Sequence, residues 1–319
     1  MSDDIIFGAF VPQGWKTELV GLGDATTQWQ KAVETAQLAE ELGYDSVWLY
    51  DHFHNVPSPA NETVFECWTT MAAISQVTSR VRLGQMVGCN SYRSPGLLAK
   101  ITSTVDVISG GRLDWGIGAG WYEHEYQGYG YEFPAPKIRI GMLKETVEIV
   151  RSMWTEAETN YDGTYYQLAG AQCDPKPLQF PHPPIWIGGG GEQLTLRVVA
   201  RYGDRSNFAG SLENFAHKCE VLKNHCRVVG RDYDEIKKTM CGDLLLVENE
   251  SELEGCSSPL GQPVEEWRKT NFVGTPDQVA EKMQGYLDLG CTGFIPWHAD
   301  YPDHRSLRLF AEKVMPNFR

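Results

Sequence analysis

Residues Pro183-Pro184-Ile185-Trp186-Ile187-Gly188-Gly189-Gly190-Gly191-Glu192-Gln193-Leu194-Thr195-Leu196-Arg197-Val198-Val199-Ala200-Arg201 decide how this chain is read. A short apolar run suited to a buried strand enters four consecutive glycines, and a helical pattern follows. A tight turn needs only one or two glycines. Without a Cβ, the backbone comes close to a ligand and adopts positive φ. The helix start behind the run offers unpaired N–H groups and the positive end of its dipole. Strand, glycine turn and helix N-terminus together make an anion site suited to phosphate. The plainer alternative is a βα turn that holds no ligand.

The same strand–turn–helix unit repeats on both sides of this stretch. Strands are expected at 5–11, 46–50, 81–87, 113–117, 185–187, 206–209, 239–247 and 294–297. Helical spacing fills 27–42, 66–77, 95–108, 141–154, 194–202, 215–229 and 306–314. A further helix opens at Thr275-Pro276-Asp277-Gln278, where Thr275 suits the N-cap, Pro276 the first helical position and Gln278 the capping box. Eight strands alternating with helices imply a TIM (β/α)8 barrel, one domain over residues 1–319 with insertions near 155–183 and 248–272. An open doubly wound sheet is the alternative.

The bulk composition narrows the function. The chain has 319 residues, 42% hydrophobic and 22% charged, as in an ordinary globular protein. A net charge of −14 speaks against a non-specific nucleic-acid or anionic-membrane binder, and means that an anionic cofactor needs local donors. The acidic start, Met1 to Asp4, is not a signal segment, and no apolar run approaches the ~18 residues of a membrane span. The eight cysteines form no CxxC pair, and reduced thiols in the cytoplasm are expected.

In a barrel the active site lies at the C-terminal ends of the strands. There the sequence places Phe10, then Tyr50-Asp51-His52-Phe53-His54, Cys89-Asn90-Ser91-Tyr92-Arg93, Gly120-Trp121-Tyr122-Glu123, the glycine run, Asn207-Phe208, and Trp297-His298. Asp51 and His52 are the leading acid–base candidates, since a carboxylate beside an imidazole sets its tautomer and its pKa. The alternative is a strand-end Asp cap beside a solvent-facing His. His52-Phe53-His54 also reads as a metal pair, but no further ligands clearly complete it, so no metal is assigned. Gly116-Ile117-Gly118-Ala119-Gly120 gives a flat ring room to approach the backbone, or serves close packing alone. Phe10, His54, Trp121, Tyr122, Phe208 and His298 are the candidate substrate contacts. Arg93, Arg197, Arg201 and Arg205 are candidates for neutralising anionic ligand groups, with exposed helix charge the plainer reading of the last three.

Several of these pieces, in this order, resemble the luciferase-like monooxygenase superfamily, and within it the coenzyme F420-dependent oxidoreductases. The resemblance rests on Ala39-Glu-Glu-Leu-Gly-Tyr-Asp-Ser-Val-Trp48, Asp51-His52, Tyr92-Arg-Ser-Pro-Gly-Leu-Leu-Ala-Lys100, Asp106 to Trp121, Pro184 to Glu192, and Val273-Gly-Thr-Pro-Asp-Gln-Val279. It implies a barrel that binds a flavin-like ring at its mouth. Asp51 and His52 would lie near ring and substrate. Met86, Val87, Gly88, Cys89 and Asn90 would form a bulge against the ring, with a non-proline cis peptide. Gly120 would adjoin the cofactor, and Gly188, Gly189, Gly190, Gly191 and Glu192 would clamp its phosphate. One departure matters: sugar-phosphate dehydrogenases of this group carry an acidic Glu where this chain has Trp121, and their phosphate-binding lysines have no match.

The expectation is therefore a cytoplasmic F420-dependent enzyme that moves a hydride between the deazaflavin and a small apolar or aromatic substrate. An FMN-dependent monooxygenase is the alternative, a non-catalytic flavin- or deazaflavin-binding protein the second, and a metal-dependent hydrolase the reading outside this class. A homodimer is what the resemblance implies for assembly, with no nucleic-acid or membrane partner.

Overall fold

The computed structural model describes residues 5–319, so the acidic start Met1 to Asp4 lies outside the described residues. Eight parallel strands close into a barrel: β1 (Ile6–Phe10), β2 (Ser46–Leu49), β3 (Arg82–Gln85), β4 (Leu113–Gly118), β5 (Ile185–Gly188), β6 (Arg205–Phe208), β7 (Lys237–Leu246) and β8 (Cys291–His298). Closure comes through β6–β7, with Thr239 opposite Asn207, and β8–β1, with Phe294 opposite Phe7. The open doubly wound alternative is thereby excluded.

Around the barrel run α1 (Ala25–Glu41), α2 (Cys67–Val77), α3 (Pro95–Ile108), α4 (Pro136–Thr155), α5 (Thr195–Tyr202), α6 (Leu212–Val229), α7 (Pro276–Asp288) and α8 (Arg305–Leu309). Local chemistry sets their ends. The Asp24 carboxylate caps α1 by accepting from the Thr27 amide, and α7 carries the expected capping box of Thr275 and Gln278. Gly230, at φ 72°, turns the chain out of α6 in the left-handed region.

Strand residues alternate between two cores. Phe7, Ala9, Val47, Leu49 and Phe294 pack outward under the helices, whereas Phe10, Trp48, Trp186, Ile295 and Trp297 fill the barrel interior. Trp48 fits because its neighbours lack side chains: a Cβ at Gly84 would lie 2.3 Å from the indole, and one at Gly8 2.6 Å from it.

The third strand departs from expectation. It stops at Gln85, a cis peptide joins Met86 to Val87, and Gly88–Cys89 then pair with Ile117 and Gly118 of β4. The Val87 side chain wedges between β4 and β5, and a Cβ at Gly118 or Gly188 would come within 2.7 or 2.6 Å of it. The first insertion forms an antiparallel hairpin, Thr159–Asp162 with Gln167–Ala171. The second carries a short helix, Val264–Thr270, and a strand, Phe272–Gly274, that adds to β7. None of the eight cysteines is bonded to another. Among the described residues no helix is long and apolar enough to cross a membrane.

Candidate active site at the barrel mouth

Two cavities of about 280 Å³ each open at the C-terminal strand ends. They share Met86, Val87, Gly188 and Gly189, so the bulge after β3 and the start of the glycine run form the wall between them. The first is walled by Trp15, Tyr50, His52, Cys89, Trp121 and Tyr122. The second lies over the glycine run, against Asn207, Phe208, Lys218 and Cys241. A separate cavity of about 400 Å³ sits on the outer wall between α4 and α5, away from the strand ends.

His52 projects into the first cavity. Its Nδ1 lies 2.8 Å from Glu125 Oε2. Glu125, in the short helix Glu123–Gly128, is fully buried and also accepts from the Tyr92 hydroxyl at 2.6 Å and from the amides of Phe53 and His54 at 2.6 and 2.9 Å. Burial pushes the Glu125 carboxyl up, but the hydrogen bond and charge of His52, with Tyr92 and the His54 amide, outweigh it and hold the group below the usual carboxylate range. An ionised Glu125 only accepts, so His52 Nδ1 is the donor. Nε2 is left with no protein partner among the described residues. Trp15 lies flat on the imidazole, ring centres 4.3 Å apart and planes 2° from parallel, and Trp121 meets it edge-on at 5.7 Å.

Asp51 does something other than expected. Its Oδ2 accepts from the Cys89 amide at 2.8 Å and from Arg93 Nη1 at 2.7 Å, while Oδ1 accepts from Arg93 Nη2 at 3.0 Å. Asp51 thus anchors the bulge and is not the carboxylate of His52. The reason is geometric: adjacent residues leaving a strand point to opposite faces. Arg93 is held there and by Glu66 at 2.7 Å, so it is not free to meet a ligand anion. Burial raises the Cys89 thiol to about 12, with the Tyr126 hydroxyl 3.1 Å away, so it stays protonated.

Of the other expected contacts, some line the cavities and some do not. Phe10 is buried in the barrel interior with its ring stacked on Tyr50 at 4.2 Å, behind the cleft wall. His54 turns outward and meets His124, Nδ1 to Nδ1 at 2.8 Å. His298 is fully buried between Tyr44, at 3.2 Å from Nε2, and Tyr301, at 3.3 Å from Nδ1. Burial lowers its pKa to about 3, which keeps it neutral, and it lines neither cavity. Asn90 is fully buried and outside the cavity lining. Phe208 reaches the second cavity and packs edge-on against Phe215. Trp121 and Tyr122 stack on each other at the rim, with Trp121 60% exposed. The His52 and His54 imidazoles have different partners, and among the described residues no three His, Cys, Asp or Glu side chains converge to hold a metal.

The glycine run divides by role. Gly188 is required by Val87, Gly189 by its φ of 110°, and Gly191 because a Cβ would meet Thr195 Oγ1 at 2.7 Å. Gly120 is required by packing too, its φ being 76° and the Tyr126 hydroxyl 1.9 Å from a Cβ placed there. Only Gly190 answers to no such demand: a Cβ there would make ordinary contact, 3.5 Å from Lys218 Cε. The amides of Gly190 and Gly191 donate to no protein acceptor among the described residues, and no side chain caps α5. Free amides at an uncapped helix start, a glycine with no packing duty and one lysine beside it fit a phosphate group. Glu192 is engaged by side chains of α6, Lys218 Nζ at 2.6 Å and His217 Nε2 at 3.0 Å.

The profile of the luciferase-like monooxygenase family matches residues 7–255. The chain belongs to that family. Among its relatives are F420-dependent glucose-6-phosphate dehydrogenases. That of Amycolatopsis mediterranei is 27% identical over 323 residues, covering 90% of this chain and 94% of the relative. That of Nocardia farcinica is 28% identical, covering 91% and 94%. The luciferase-like fold is also seen in an F420-dependent secondary alcohol dehydrogenase in complex with an F420-acetone adduct, at TM-score 0.83 and 20% identity over 99% of both chains. The monooxygenase RslO1 from Streptomyces bottropensis aligns at TM-score 0.81 and 23% identity, over 99% of this chain and 100% of the other.

Sequence reasoning missed Glu125, which lies seventy-three residues from His52. It also missed Lys218, which carries no motif. The available signal for Glu125 was topological: in a barrel the loops after β2 and β4 flank the β3 bulge, so titratable groups of both face one cleft.

Proposed function

We propose that this chain is an F420-dependent oxidoreductase that moves a hydride between the deazaflavin and a small, uncharged, apolar or aromatic organic substrate. The observation that carries the reading is the buried Glu125–His52 pair opening on a cleft whose far wall is the Met86–Val87 bulge and the glycine run. Homology to F420-dependent dehydrogenases over 90% of the chain supports the cofactor.

The deazaflavin, when bound, supplies a ring carbon that accepts or releases the hydride. Gly189, Gly190 and Gly191 would hold its phosphate, and the 86–89 bulge, fixed by Asp51 and Arg93, would support its ring. His52 would hold or take the proton of the reacting substrate oxygen at Nε2, while Glu125 keeps the ring proton on Nδ1 and Trp15 keeps the imidazole plane fixed. Trp15, Trp121 and Tyr122 would enclose the substrate and exclude water.

The charge of the cleft supports this substrate class. Among the described residues, no lysine or arginine lines this cleft. Lys16, nearby at the mouth, is paired with Asp243 at 2.7 Å and lies over Trp297 at 4.0 Å. A phosphorylated sugar would find no free cation there among the described residues, which argues against glucose 6-phosphate as the substrate. Equilibrium titration with F420 and, separately, FMN tests the cofactor: FMN affinity without F420 affinity would shift the reading to a flavin monooxygenase. Turnover of small alcohols, aldehydes and aryl ketones against glucose 6-phosphate tests the substrate, and a preference for the sugar phosphate would overturn it.

A further inference from the structure

The ion pair beside the glycine run has a geometry that the phosphate reading alone does not explain. Lys218 rises from α6 and crosses over Gly190: a Cβ at that glycine would lie 3.5 Å from its Cε and 4.0 Å from its Nζ. Lys218 lines the second cavity with Gly188, Gly189 and Gly190. Its ammonium is engaged by a carboxylate of the same loop, Glu192, at 2.6 Å. Glu192 also takes His217 Nε2 at 3.0 Å, and its carbonyl takes His225 Nε2 at 2.7 Å. Basic side chains of one helix therefore converge on one acidic residue of the loop.

We infer that Lys218 is the cation of the anion site over Gly190, and that Glu192 is an internal competitor which occupies Lys218 until a ligand phosphate displaces it. This rests on the reading of the glycine run as a phosphate site and names the side chains that control it. A carboxylate and a phosphate satisfy the same lysine through charge-assisted hydrogen bonds. The protein carries a net charge of −14 and repels anions overall, so a bound phosphate depends on local donors, here Lys218 and the loop amides, and Glu192 keeps that ammonium paired when no ligand is bound. Gly190 is the position where phosphate approaches the backbone, because it is the one glycine of the run that neither φ nor packing requires. Lys218 then exchanges its partner, and Glu192 stays on His217 or turns to solvent.

The pair predicts effects of opposite sign. Tryptophan fluorescence titration, with Trp15 and Trp121 reporting from the cleft, gives the dissociation constant of wild type, Lys218→Met and Glu192→Gln for two matched ligand pairs. One pair is F420 and its phosphate-free deazaflavin; the other is FMN and riboflavin. Lys218→Met is expected to weaken the phosphate-bearing member by about 10- to 100-fold and leave the phosphate-free member unchanged. Lys218→Arg should recover most of the loss. Glu192→Gln is expected to tighten the phosphate-bearing member by about threefold or more, since the neutral amide competes less well for the ammonium. Inorganic phosphate reads the site with no ring present: it should raise the melting temperature of wild type and fail to do so for Lys218→Met.

Equal weakening of both members of a pair by Lys218→Met would overturn the inference, since Lys218 would then only hold the fold. Weakening by Glu192→Gln would overturn the competitor role. Binding of the FMN pair alone would refute the F420 reading, while the Lys218 comparison is still read on FMN against riboflavin. Absence of any phosphate effect on wild type would overturn the inference itself.

Discussion

Replacing Glu125 with Gln tests the catalytic pairing at the level of a single proton. Glu125 Oε1 takes the amides of Phe53 and His54, and Oε2 takes His52 Nδ1 and the Tyr92 hydroxyl. A glutamine that keeps its carbonyl oxygen on the two amides turns its NH2 toward His52 and Tyr92. His52 Nδ1 then has to accept, and the ring proton moves to Nε2. Nε2 loses the lone pair with which it would take the substrate proton. The expected loss of turnover is about 10²- to 10⁴-fold, the usual contribution of a placed acid–base group. An inverted tautomer in the serine protease triad costs about 10⁴-fold. The stability loss is smaller, about 1.5–3 kcal/mol for hydrogen bonds to a buried charge, or roughly 3–6 °C of melting temperature.

Single-turnover absorbance of the bound deazaflavin measures the chemical step, and fluorescence titration measures cofactor affinity, which should hold. Turnover within about twofold of wild type, in a folded variant that binds cofactor normally, would refute the role of Glu125. The pH dependence has a definite sign. The folded-state pKa of Glu125 lies below the ordinary glutamate value of 4.5. Its charge therefore contributes stability fully above that value, and the contribution is lost as pH falls through the lower, folded value. The stability gap between wild type and Glu125→Gln should narrow below pH 4.5 and not above it.

Asp51→Asn breaks a buried pair with Arg93 and loosens the Cys89 amide, so a loss of about 3–5 kcal/mol is expected by denaturant unfolding, with weaker cofactor binding. His52→Ala should do the reverse, keeping cofactor affinity and losing turnover; identical profiles for the two variants would restore the adjacent Asp–His pairing. Gly188→Ala places a methyl 2.6 Å from Val87 and should lower expression and melting temperature, whereas Gly190→Ala meets only ordinary contacts and should fold normally yet bind phosphate-bearing cofactor more weakly. His298, held near a pKa of about 3 by burial, makes the unfolded state the better proton binder below pH 6.5. Wild-type stability should therefore fall by up to about 1.4 kcal/mol per pH unit as pH drops from 6.5 toward 4.5, and urea unfolding of His298→Gln should show a shallower slope. An unchanged slope would locate the effect elsewhere, with His304, also lowered by burial, the next residue to replace.

The barrel was legible in the sequence because its signals are local. Helical spacing, the Thr275 capping box and the glycine run each lie within a few consecutive residues, and all three stand in the structure where the pattern put them. The break after Gln85 was not legible from periodicity, since Met86 and Val87 continue an apolar strand pattern, and only family resemblance pointed to it. Glu125 and Lys218 were illegible for a different reason: their partners, His52 and the glycine loop, are brought to them by the closure of the barrel.

The placements of Asp51 and His298 share one cause, and the strand period of two anticipates both. Along β8, Ile295 and Trp297 face the barrel interior, while Phe294 faces the helices. His298 has the parity of Phe294, so it belongs under α8 with Tyr44 and Leu307, where the structure has it. Along β2 and beyond, Trp48, Tyr50 and His52 share the inward parity, and Val47, Leu49 and Asp51 the other. Tyr50 and His52 follow that parity, and Asp51, although it also reaches the cleft lining, turns its carboxylate into the Cys89–Arg93 anchor. Chain neighbours at a strand end are thus the residues least able to act on one atom together. The carboxylate that serves an inward-facing histidine has to come from another strand, and in this barrel the loop after β4 supplies it as Glu125.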